Sequence, residues 1–188
     1  RRVRNFLTLL FLSHGTPMLL MGDETGHTRR GNNNPWCQDN DLNWVDWKPG
    51  PRGDGLKRFV KGLVELSRAV PVLQDNRYWT ASNEETAGEI NWLGTELGRP
   101  DWSAASRTLA WTLSRPEGGP ALHVMLNASD EEIDFEIPAG DEDDPWRRVV
   151  ATDRVGRDDW TPIDEAAPVS GEGVRVGEGS VTVLLRLS

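Results

Sequence analysis

Cysteine is almost missing from this chain: Cys37 is the only one in 188 residues. No internal disulfide can form, and this usage fits a reducing compartment, so a cytoplasmic location is expected. Long hydrophobic runs are missing too. Nothing approaches the roughly 20 apolar residues that span a bilayer, and the apolar stretch 6–12 belongs to a helix with a polar side rather than to a signal peptide. No membrane partner is expected. The three histidines, His14, His27 and His123, show no ligand spacing, and there is no Walker-type glycine loop or internal repeat. Such a set predicts neither a metal centre nor a cofactor. The chain opens on Arg1-Arg2-Val3 without a methionine and reads as a piece of a longer protein.

Positive charge is scarce in one part only. Residues 1–79 carry 12 Lys+Arg against 8 Asp+Glu, whereas residues 80–188 carry 9 against 22. The change of sign points to two structural units. Phosphate repulsion excludes the second unit as a nucleic-acid binder, and the arginines of the first are scattered rather than aligned in a stripe. The acidic run Asp141-Glu142-Asp143-Asp144-Pro145 reads as a solvated loop, because it lacks the alternation of a calcium loop.

Tryptophan is what the chain has in excess, with 9 against a single tyrosine. Indoles fill cores, but their flat faces also stack on sugar rings, so carbohydrate becomes a leading ligand class.

Two halves differ in period. Val3, Phe6, Leu7, Leu10 and Phe11 follow the helical stripe, with Gly15 and Pro17 to end it. Pro17-Met18-Leu19-Leu20-Met21-Gly22 reads as a short strand buried on both faces. Residues 23–54 form a long polar loop of the kind that carries function. Leu56, Phe59, Val60, Leu63 and Val64 mark a second helix, with Asp54 as N-cap and Pro71 as stop. Beyond about Asn76 the period becomes 2. The sets 109/111/113, 122/124/126, 133/135/137, 146–150 and 181–187 predict an antiparallel β-sandwich. In that scheme His123 falls on the solvent side of its strand, and Trp111 and Trp146 fall in the core. At least one of Trp44 and Trp47 is also expected to be core.

The most informative stretch is Pro17-Met18-Leu19-Leu20-Met21-Gly22-Asp23-Glu24, then Gly31-Asn32-Asn33-Asn34-Pro35-Trp36-Cys37-Gln38-Asp39-Asn40, then Asn43-Trp44-Val45-Asp46-Trp47. Together these resemble the last barrel strand, and the loop after it, of bacterial glycogen debranching enzymes and isoamylases in the α-amylase superfamily, glycoside hydrolase family 13. The resemblance continues to about Val72 and is looser beyond. It implies a parent with an (α/β)8 barrel that hydrolyses α-1,6 branch points of glycogen-like glucans with retention. Residues 1–75 would be the C-terminal end of that barrel, and residues 76–188 a C-terminal β-sandwich domain. The family's nucleophile Asp, acid/base Glu and stabilising Asp sit on earlier barrel strands and would lie before Arg1, so no catalytic residue is assigned in this chain.

Asp23 and Glu24 end the predicted strand, where barrel enzymes place active residues. A retaining glycosidase needs two carboxyl groups about 5–5.5 Å apart on one bond. Neighbours on a strand point to opposite faces, so one is expected at the barrel mouth and the other paired with Arg29 or Arg30. Asn32, Asn33, Asn34, Gln38, Asp39 and Asn40 around Trp36 have the short polar groups and aromatic floor that a sugar cleft needs, although Asn and Gly also build ordinary turns. Cys37 has no cationic neighbour in sequence to activate it.

The leading expectation is thus the end of a debranching hydrolase, inactive alone, with an α-glucan as partner. Its truncated barrel edge invites self-association. A free-standing glucan-binding sandwich and an acidic assembly module are the alternatives. The sandwich is expected to take both its faces from its own strands and to be the stable part.

Overall fold

The computed structural model describes residues 1–76, 78–80, 88–140 and 142–188. Helix α1 spans Arg2–Phe11 and α2 spans Gly50–Ala69. The stripe of α1 is split: Leu7 and Phe11 are buried, whereas Val3 and Phe6 face outward. Helix α2 starts four residues before the expected cap. Pro51, not Asp54, sets its first turn, because a proline ring fixes the helical φ where no donor is needed. Leu56, Phe59, Val60 and Leu63 are buried as the stripe requires, and the helix stops at Ala69, just before Pro71 opens a short 3-10 turn.

Residues 17–22 form no strand, which corrects the expected helix–strand–loop–helix order. Their exposure alternates only as far as Leu20: Leu19 is partly buried on the core, while Met18, Leu20 and Met21 are exposed. A strand exists only as part of a ladder, and no described strand lies alongside to pair with this segment.

Among the described residues eight strands follow: β1 Trp79–Thr80, β2 Gly88–Leu93, β3 Thr108–Ser114, β4 Ala121–Asn127, β5 Ile133–Glu136, β6 Arg147–Ala151, β7 Gly173–Val176 and β8 Ser180–Arg186. Six of them form one sheet in the order β1-β2-β3-β4-β8-β6, and β5 pairs with β7 in a second. All pairings except the two-residue β1–β2 ladder are antiparallel. Strands β1, β2 and β7 were not foreseen; the others fall on the predicted sets.

The two faces of the large sheet have different covers. Ala110, Met125 and Leu184 face Phe135, Val174 and Val176 of the small sheet. The opposite face, with Trp111, Leu113, Leu122, Val124, Val183 and Leu185, packs with Leu7, Phe11, Phe59, Leu63 and Leu66 of the two helices. The sandwich therefore does not supply both of its own covers. Gly62 marks how close this packing is, since an added Cβ would stand 2.3 Å from the Trp160 ring.

Double coverage also explains His123. Strand β4 is buried on both sides, so its alternation separates two cores rather than core from solvent. His123 is 0% exposed, with Nδ1 3.2 Å from the Thr112 hydroxyl and its ring 6.0 Å from that of Trp146. Burial pushes its pKa down from 6.5 to about 4. Between these values the unfolded chain takes up a proton that the folded chain refuses, so stability falls as pH drops through this window. The loss should approach about 2–3 kcal/mol by about pH 4.5. Urea melts of wild type and His123→Leu should show it, the wild type losing more between neutral pH and that point. Parallel losses would mean that His123 is not the titrating group.

Candidate functional site

The candidate site begins where the backbone turns sharply. Gly22 has φ 102°, and a Cβ there would stand 2.8 Å from the His27 Cβ, so the position demands glycine. A 3-10 turn over Asp23–Thr25 follows, and the His27 amide closes it by donating to the Gly22 carbonyl at 2.9 Å. Glu24 turns back to accept from the Gly22 amide at 2.8 Å. Glu24 therefore turns to the backbone rather than to Arg29 or Arg30. Arg29 donates instead to Asn43 Oδ1 at 2.9 Å, tying the start of the loop to its end.

Between these anchors the asparagine segment folds on local bonds. The Asn34 amide donates to Asn32 Oδ1 at 3.0 Å, and the Leu42 amide to Asn40 Oδ1 at 3.0 Å. Both are Asx turns, in which a side chain imitates the backbone. Asn40 Nδ2 donates to Gln38 Oε1 at 3.0 Å, and the Trp44 indole donates to Asp39 Oδ1 at 2.9 Å. Asn32, Gln38, Asp39 and Asn40 thus shape the loop. Among the described residues no bond holds the side chains of Asn33 and Asn34.

Asn32, Asn33, Asn34 and Trp36 border an open hollow of about 580 Å³ together with His27 and Arg29. No carboxylate lines it. Trp36, on the rim of this hollow, is 89% exposed. Gln38, Asp39 and Asn40 stand outside the hollow, as does exposed Asp23, while Glu24 borders a separate groove beside Lys57, Val60 and Lys61 of α2. Sequence reasoning missed His27 and Asn43 as lining residues and gave Arg29 another role; Asn43 reaches the hollow from 14 residues further on, held by its bond from Arg29. The expectation of a core role for Trp44 or Trp47 also fails, since they are 61% and 82% exposed. Chemically, the hollow presents amide and guanidinium groups around an indole and suits a neutral hydroxylated ligand.

The other isolated features bear less on a site. Exposed Cys37 is unpaired, and Asp144 is held by the Leu187 and Ser188 amides at 3.0 and 3.1 Å and lies 3.3 Å from Arg186. It is an anchor for the C-terminus rather than part of a solvated loop. Burial alone would raise the Asp144 pKa, but the Ser188 side chain, the Leu187 and Ser188 amides and nearby Arg186 together keep its carboxyl below the usual value. Asp141 lies outside the described residues. No helix among the described residues is long and apolar enough to cross a membrane.

Comparison with known proteins shows what the chain is similar to. A family model described as "Isoamylase 1-3, C-terminal" matches residues 91–176. A glycogen debranching enzyme of Erwinia tasmaniensis is 42% identical over 143 residues, which is 74% of this chain and 20% of that protein. One from Pectobacterium atrosepticum is 44% identical over 137 residues, covering 71% of this chain and 19% of that protein. The chain therefore spans about a fifth of the length of the curated relatives it matches. Its fold is that of a pullulanase from Bacillus acidopullulyticus over 97% of this chain and 20% of that one, with TM-score 0.68 and 18% identity. A pullulanase from Paenibacillus barengoltzii, solved in complex with maltohexaose and α-cyclodextrin, matches over 99% of this chain and 25% of its own, with TM-score 0.66 and 20% identity. The chain is homologous to the C-terminal region of the glycogen debranching enzymes, and its residues 91–176 match the isoamylase-type C-terminal family model.

Proposed function

We propose that this chain is the C-terminal part of a cytoplasmic glycogen debranching enzyme that hydrolyses α-1,6-glucosidic branch points of glycogen-like glucans. The observation that carries this reading is the 42–44% identity to glycogen debranching enzymes over most of the chain. In this reading residues 1–75 close the catalytic barrel and residues 76–188 form the C-terminal β-sandwich. The outward-facing Val3, Phe6, Met18, Leu20 and Met21 support the first assignment. These are the side chains that upstream barrel elements would cover, and without that cover they are the surface through which copies self-associate.

The hollow at the asparagine loop borders the substrate cleft in this reading. Trp36 supplies a stacking face, while Asn33 and Asn34 offer amide groups to sugar hydroxyls. The catalytic carboxylates belong to the upstream barrel, because the hollow lacks the paired acids that retention requires.

Three proteins assayed side by side on glycogen and pullulan test this. The full-length enzyme should release reducing ends, and the 188-residue chain should release none. Full-length Trp36→Ala should lose about 1–3 kcal/mol of transition-state stabilisation on branched substrate, the loss expected of an aromatic contact. Hydrolysis by the short chain would overturn the assignment of catalysis. Unchanged kinetics in Trp36→Ala would remove the loop from the cleft.

A further inference from the structure

The sandwich carries an aromatic surface that the asparagine loop does not use. Trp111 on β3 lies directly across from Trp92 on β2, with ring centroids 5.9 Å apart. Trp102, from the loop between these strands, meets Trp92 edge to face, at 5.9 Å and 73°. Exposure grows outward along this line, at 8%, 43% and 66% for Trp111, Trp92 and Trp102. The innermost indole anchors the row in the core, so the outer two are held in place without being covered. Indoles needed only for packing would be buried as Trp146 and Trp160 are, at 3% and 5%.

The polar neighbours restrict what can bind. Asp101, next to Trp102, accepts from the Ser103 amide at 2.9 Å, and that bond with others from Ser103 and Ser106 lowers its pKa. A fixed carboxylate beside an indole accepts hydrogen bonds from hydroxyl groups and repels phosphates. Strand β1 pairs only with Gly88 and Glu89, so the outer edge of β2 beside Trp92 faces no described strand. The acidic balance of this half of the chain, 9 Lys+Arg against 22 Asp+Glu, also excludes polyanions.

We propose that Trp92 and Trp102, with Asp101, form an α-glucan binding platform on the sandwich, a second contact for the same polymer. It rests on the reading that the chain belongs to an enzyme of α-glucans, and it needs none of the barrel. The platform holds an outer chain of a branched polymer while the cleft works on another part, which raises the effective concentration of branch points.

Electrophoresis of the 188-residue chain through gels containing glycogen, with maltoheptaose titrations followed by indole fluorescence, tests it. The native chain should be retarded, and Trp102→Ala should weaken binding about tenfold, as expected for removing one stacking contact. Trp47→Ala, at an exposed indole that borders neither the hollow nor the platform, should leave this retardation largely intact. Because Trp102 is exposed, its truncation should not move the melting temperature, and Trp102→Phe should recover much of the binding. An unretarded native chain, or a Trp102→Ala variant that binds glycogen as well as wild type, overturns the platform. So does retardation abolished by Trp47→Ala alone, or a Trp102→Ala effect confined to self-association in sedimentation. None of these outcomes touches the debranching assignment, which stands or falls on the full-length assay.

Discussion

Deleting residues 1–75 should abolish the cooperative thermal transition of the remaining sandwich rather than release a stable domain. Such a cut removes α1 and α2 and uncovers Trp111, Leu113, Leu122, Val124, Val183 and Leu185 on one face of the large sheet. Each large apolar side chain contributes roughly 1.5–3 kcal/mol when fully buried. Even with Trp160, Ile163 and Ala166 still covering part of that face, the loss is on the order of 10 kcal/mol, comparable to the whole stability of an ordinary domain. The truncated protein should bind hydrophobic dyes, keep residual strand content and melt without a sharp midpoint. A soluble, monomeric 76–188 with a cooperative melt would show that the small sheet and the loops stabilise the large sheet unaided.

This outcome opposes what the sequence led one to expect, and the reason is physical. Alternating residues in β3, β4 and β8 establish that one face is apolar, but period 2 does not say what covers it. The change of charge near residue 79 marks a change of architecture. It does not mark independent stability, because charge sits on the surface and the shared core lies beneath it. His123 shows the same limit: on a strand covered on both sides, the position next to Leu122 and Val124 is not a solvent position but a second core. Where the pattern had one solution, it was readable. The stripe of α2 and the strands at residues 109–113, 122–126 and 181–187 came out as the spacing required.

The loop is legible in part, for a related reason. Composition identifies a polar segment with an aromatic floor, and Asn32, Asn33, Asn34 and Trp36 do border one hollow. Gln38, Asp39 and Asn40 look equivalent in sequence, yet their side chains are engaged by Asn40, the Trp44 indole and the Leu42 amide. Which asparagines shape the turn and which face outward depends on backbone torsions that residue type leaves open. The apolar run 17–22 has the composition of a barrel strand, but composition cannot supply the neighbours that would make it one.

The joint between the helices and the sheet also contains a fully buried charged side chain, so Asp159→Ala should destabilise the chain severely. Asp159 is 0% exposed. One carboxylate oxygen accepts from Arg4 Nε of α1 at 2.6 Å, and the other takes a short hydrogen bond from an Arg58 amino group of α2. The same Arg58 nitrogen donates to the Gly156 carbonyl at 2.6 Å, while the Asp159 backbone carbonyl accepts from Ala151 in β6. One residue thus ties both helices to the edge of the large sheet. Removing the partner of a buried charge costs about 3–5 kcal/mol, because the ions left behind are neither paired nor well hydrated. The two arginine side chains remain 26% and 31% exposed, which lets water recover part of the loss and puts the expected value near the lower end of that range. Denaturant melts should therefore place Asp159→Ala about 3 kcal/mol below wild type. Asp159→Asn keeps the shape and one acceptor, and it should fall between the two. The decisive comparison is the triple variant Arg4→Met, Arg58→Met, Asp159→Leu, in which no charge is stranded. If the ion cluster is the cause, the triple variant should be more stable than Asp159→Ala alone, since apolar groups of similar size can replace a buried ion cluster at little cost. A triple variant less stable than the single one would mean that the cluster's geometry, rather than its stranded charge, holds the helices on the sheet.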